Sequence, residues 1–74
     1  MPLTLVLNGH TRIFEALEVS STLEDLLKEL ELKGDRIAVE HNGEIATRQK
    51  WNEIRLENND RLEVVHFVGG GSIG

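Results

Sequence analysis

Cysteine is absent from the 74 residues, which removes a disulfide framework, a thiolate metal site and a cysteine nucleophile from consideration. Basic residues are scarce: eight Lys and Arg stand against thirteen Asp and Glu, a formal charge of −5. With a pI near 5.0 the chain has the wrong sign for a phosphate backbone to supply affinity, so nucleic acid is not an expected partner. Long apolar runs are missing too. Leu3-Thr4-Leu5-Val6-Leu7 is followed at once by Asn8 and Gly9, short of a signal-peptide core, and no run approaches the roughly 20 residues that span a bilayer. These features predict a cytoplasmic protein with no membrane partner. The length allows one compact unit and excludes most large-enzyme architectures, while 39% apolar residues suffice for a small core without staples.

Leu3 to Leu7 reads as a strand with Leu3, Leu5 and Leu7 on one face. Asn8-Gly9 accepts the positive φ of a type I′ turn, so Thr11 to Leu17 should return as a hairpin, its register left open by the adjacent Ile13 and Phe14. Ser21-Thr22-Leu23-Glu24 fits a capping box with Ser21 as N-cap and Glu24 reaching back. Leu23, Leu26, Leu27 and Leu30 then follow at helical spacing, and Lys33-Gly34 predicts the helix end. Arg36 to His41 alternates and is followed by a second Asn-Gly turn at Asn42-Gly43, then Glu44-Ile45-Ala46. After an irregular stretch containing Trp51, the last strand spans Leu62 to Val68.

One amphipathic helix must bury its leucine stripe against one face of a sheet, giving a two-layer α+β domain. The order of elements matches a β-grasp (ubiquitin-like) fold, a mixed sheet of four to five strands on one main helix, with residues 1–68 as the domain and 69–74 as a flexible glycine-rich tail. Gly69, Gly70 and Gly71 lack Cβ atoms and form a strip of backbone thin enough to enter a tunnel closed to side chains. On the last strand Glu63, Val65 and Phe67 alternate with Leu62, Val64, His66 and Val68. If the leucine set is core, Val65 and Phe67 form an apolar patch beside the tail and, with Val68, a docking surface for partners. The three histidines, His10, His41 and His66, lack metal-ligand spacing, and Trp51 reads as a packing residue over the core edge.

The chain resembles the β-grasp sulfur carrier proteins and, among them, those of thiamine biosynthesis. The resemblance covers essentially the whole chain. Its specific part is Asn42-Gly43-Glu44 followed by Arg48 and Trp51, together with Val65-His66-Phe67-Val68-Gly69-Gly70-Gly71. It implies a non-catalytic cosubstrate with no permanently bound cofactor. Its C-terminal glycine would be adenylated with ATP by an E1-like enzyme related to ubiquitin-activating enzymes. Sulfur supplied through a cysteine desulfurase would then make a thiocarboxylate that donates to thiazole synthase. The family's terminal glycine pair maps to Gly70 and Gly71, which makes Gly71 the acyl position. Here Ser72, Ile73 and Gly74 follow, so either a processing peptidase removes them or Gly74 itself is activated. Related carriers for molybdopterin, cysteine or homocysteine synthesis, and ubiquitin-like modifiers, remain as alternative readings.

Overall fold

The computed structural model describes residues 2–32 and 36–66. Strands β1 (Leu3–Leu7), β2 (His10–Phe14), β3 (Ile37–His41), β4 (Glu44–Ala46) and β5 (Asp60–His66) surround the single helix α1 (Leu23–Glu29) in sequence, and a short 3-10 turn occupies Arg48–Lys50. The strands form one mixed sheet in the order β2-β1-β5-β3-β4, with β5 central. It runs parallel to β1 and antiparallel to β3, the β-grasp arrangement that the element order implies.

Both Asn-Gly pairs make the expected two-residue turns. Asn8 and Gly9 have φ of 50° and 83°, and Asn42 and Gly43 have 51° and 90°, which suits the twist of the strands they join. The first turn also fixes the uncertain register: Leu7 faces His10 and Leu3 faces Phe14. Phe14 therefore shares the leucine face and is buried, while its neighbour Ile13 points the other way and is exposed.

Directly opposed residues lie on the same side of a sheet, so the registers sort the faces. Leu5, Leu7, Leu62, Val64 and Val39 lie under the helix, where Leu23, Leu26 and Leu27 complete the core. Trp51 closes the core edge as expected, with its indole N–H donating to the Ala46 carbonyl at 2.9 Å. The opposite face has no helix over it among the described residues. It carries Val6, Arg61, Glu63, Val65, Ala38, Glu40 and Ile45.

The helix start differs from the expected frame by one residue. Thr22 is the N-cap, accepting from the Asp25 N–H at 3.1 Å, and the Asp25 carboxylate accepts from the Thr22 N–H at 3.0 Å. That bond is the leading cause that holds the Asp25 carboxyl below the ordinary aspartate range, against the opposing effect of burial. Ser21 is unavailable as a cap: its hydroxyl accepts from Glu18 N–H, and its carbonyl accepts from Leu56 N–H at 2.8 Å. Residues 20–23 are thus bound to the arm 54–56, which includes the bridge between Thr22 and Arg55. The helix also ends earlier than Lys33-Gly34, at Glu29, with Leu30 as C-cap and Glu31 at a φ of 61°. Lys33 and Gly34 themselves lie outside the described residues.

Candidate functional site

The segment singled out by the sequence is carried by β5, and this strand is tied down at both ends. At its start the Asp60 carboxylate accepts from the Glu57 N–H at 3.0 Å and from the Asn42 side-chain amide at 3.2 Å, and its Oδ2 lies 2.9 Å from His41 Nε2. The Arg61 N–H donates to Asn42 Oδ1 at 2.8 Å, and the Asn42 N–H donates to the Arg61 carbonyl at 2.8 Å. Burial raises the Asp60 pKa, but the hydrogen bonds from His41, Glu57 and Asn42 outweigh it and hold the carboxyl below the ordinary aspartate range.

A carboxyl with a depressed folded pKa binds its proton more readily when the chain is unfolded. Its contribution is therefore present above about pH 4 and is lost as pH falls through the folded pKa. Asp60→Asn is expected to cost about 1–2 kcal/mol at neutral pH. Urea unfolding measured from pH 7 to pH 3 should show the gap between Asp60→Asn and the unaltered protein narrowing on the acid side.

At the other end, β1 stops at Leu7, opposite Leu62, and Asn8 continues the pairing with its side chain. The Asn8 backbone N–H donates to the Leu62 carbonyl at 2.8 Å. The Val64 N–H then donates to Asn8 Oδ1 at 2.7 Å, and Asn8 Nδ2 donates to the Val64 carbonyl at 3.2 Å. One side-chain amide thus stands in for another residue of parallel ladder and aligns the last turns of β5 before the glycines. Asn8→Gly keeps a residue that tolerates positive φ and removes only the clamp. It is expected to cost about 1–2 kcal/mol and to speed hydrogen exchange at the Val64 amide more than at the Leu5 amide.

Of the residues expected to act, Val65 lies on the open face and is 53% exposed. Phe67, Val68, Gly69, Gly70 and Gly71 lie outside the described residues, as do Ser72, Ile73 and Gly74. The structure adds neighbours to Val65 that the sequence did not mark: Ala38 lies directly opposite it, Glu40 lies opposite Glu63 one pleat away, and Ile45 lies opposite Glu40. Alternation in β3 and β5 was the available signal, but pairing of strands this far apart in sequence had to be seen. An open groove on the helix side, bordered by Leu27, Lys28, Arg48 and Trp51, is separate from this face. No group of three His, Asp or Glu side chains able to hold a metal occurs among the described residues. No helix among them is long and apolar enough to cross a membrane.

The ThiS family model matches residues 5–71. A thiazole synthase from Paramagnetospirillum magneticum is 43% identical over 68 residues, covering 92% of this chain and 20% of that protein. A thiazole synthase from Magnetococcus marinus is 40% identical over 65 residues, covering 88% of this chain and 19% of that protein. The chain therefore spans about a fifth of the length of these two relatives. The sulfur carrier protein ThiS of Bacillus subtilis is 40% identical over 52 residues, 70% of this chain and 79% of that one. Among solved structures, the crystal structure of the thiamine biosynthesis protein ThiS from Geobacter metallireducens superposes with a TM-score of 0.77 at 28% identity, covering 93% of this chain and all of that one.

Proposed function

The chain belongs to the ThiS family, and from that membership we propose that it is a sulfur carrier of thiamine biosynthesis, with Gly71 as the acyl position. In this reading it is a protein cosubstrate, and the catalytic groups belong to its partners. The observation that carries the reading is the family match, which runs through both ends of the sheet and stops at Gly71. The absence of cysteine is consistent with sulfur held on a main-chain carboxyl.

A carboxylate is a poor acyl donor, so the first step must supply a leaving group. A Gly71 carboxylate oxygen attacks the α-phosphorus of ATP in the active site of an E1-like adenylating enzyme, the α–β phosphoanhydride breaks, and pyrophosphate departs. The terminal sulfur of a persulfide, charged by a cysteine desulfurase, then attacks the acyl carbon and expels AMP. A thiol cleaves the resulting S–S bond, leaving the thiocarboxylate and a disulfide. Splitting one difficult exchange into covalent steps lowers each barrier. The two thiazole synthases that contain a segment like this chain support such a synthase as the acceptor of the sulfur.

An internal peptide carbonyl has no free oxygen to adenylate, so in this reading a processing peptidase cleaves after Gly71, before Ser72, to free the reacting carboxyl. ATP–pyrophosphate exchange with the adenylating enzyme of the same organism tests the reading. Exchange that depends on the chain ending at Gly71 supports it, and no exchange with either form refutes it. A ubiquitin-like modifier would instead form conjugates with lysine amines, visible as much heavier species on a denaturing gel.

A further inference from the structure

The open face of the sheet carries a pair of charges that folding does not favour. Glu40 on β3 lies directly opposite Glu63 on β5, and both are exposed. Like charges directly opposite across two strands destabilise the sheet. Among the described residues the side-chain contact within salt-bridge distance is His41 with Asp60, and neither glutamate takes part in it. Arg61 shares the face one pleat earlier, opposite Val6, and is not within ion-pair distance of Glu63. Apolar side chains border the two acids: Ile45 opposite Glu40 is 71% exposed, and Val65, opposite Ala38, is 53% exposed.

We propose that this face docks a partner protein that presents an arginine or lysine side chain, set among apolar groups, to the carboxylates of Glu40 and Glu63. The proposal rests on the carrier reading above. From Val65 to Gly71 the chain can span at most about 20 Å, so a protein that takes Gly71 into its active site must bring its surface against this end of the sheet. The complementary charge for two adjacent carboxylates is a cation, and a guanidinium can bond both while its faces rest on Ile45 and Val65. Apolar borders exclude water and strengthen the contact at its centre. A second copy of the chain is the wrong occupant, since it would bring four glutamates together between two molecules of charge −5.

The test is ATP–pyrophosphate exchange by the organism's adenylating enzyme, with whichever of the full chain and the form ending at Gly71 supports exchange, over a range of carrier and salt concentrations. E40Q/E63Q should raise the KM for carrier about tenfold, leave kcat unchanged and flatten the salt dependence of KM. The free variant should unfold at the same or a higher denaturant concentration, because a repulsion has been removed. The control E15Q/E29Q, with the same charge change on exposed residues elsewhere, should leave KM unchanged. An unaltered KM and salt slope in E40Q/E63Q, while the parent exchanges normally, overturns the docking proposal alone; so does an equal shift in the control. Absence of exchange by the parent overturns the carrier reading and this proposal with it. Self-association in sedimentation that Val65→Asp abolishes would identify a second copy as the occupant and also overturn it.

Discussion

Deleting residues 70–74 is expected to reduce carrier-dependent ATP–pyrophosphate exchange to background while leaving the unfolding midpoint unchanged. Deleting only 72–74 is expected to raise exchange above that of the full chain. The two shortenings act on the same segment and have opposite signs because one removes the reacting carboxyl and the other exposes it. Without Gly70 and Gly71 the new terminus falls about 7 Å short of the reacting phosphate, and misplacement of even 1 Å can cost a hundredfold in rate. Stability should be indifferent to both, since the buried core among the described residues ends at Leu62. If instead the full chain exchanges and the form ending at Gly71 does not, Gly74 is the activated residue and the processing step is withdrawn.

The second large effect is on folding. Leu62→Ala is expected to cost about 3 kcal/mol, within the range for buried Leu→Ala changes. A domain of this size holds only about 3–5 kcal/mol of net stability, so the variant should keep no more than about 2 kcal/mol at 25 °C. Leu62 is fully buried in the central strand, opposite Leu7 on one side and His41 on the other, so the void would open between α1 and the middle of the sheet. Urea unfolding followed by Trp51 fluorescence checks this, because Trp51 is buried in the same core. A loss below 1 kcal/mol would show that the helix and sheet close around the missing side chain.

Much of this architecture was legible because local chemistry and tertiary pairing agree. Each Asn-Gly pair specifies a turn whose twist only a hairpin satisfies, and the stripe from Leu23 to Leu30 needs a sheet to cover it. The N-cap was ambiguous because two capping frames overlap, Ser21 with Glu24 and Thr22 with Asp25. The choice depends on residues 54–56, which bind the Ser21 backbone from across the molecule. For the same reason the amide of Asn8 was read only as a turn residue. Its bonds to Val64 join positions 56 apart, and nothing in the local pattern of either strand announces them. The face of Val65 followed from alternation, whereas the meeting of Glu40 with Glu63 required the β3–β5 register. The role proposed for Gly69, Gly70 and Gly71 rests on composition and family membership, and these glycines lie outside the described residues.

The central claim is that Gly71 becomes a terminal acyl group that holds sulfur. The most direct measurement is the intact mass of the untagged protein purified from its own cells. A species ending at Gly71, alone or with one oxygen replaced by sulfur, is the predicted result. A single species continuing unchanged through Gly74, and still unchanged after incubation with ATP, the adenylating enzyme and a sulfur donor, would contradict it.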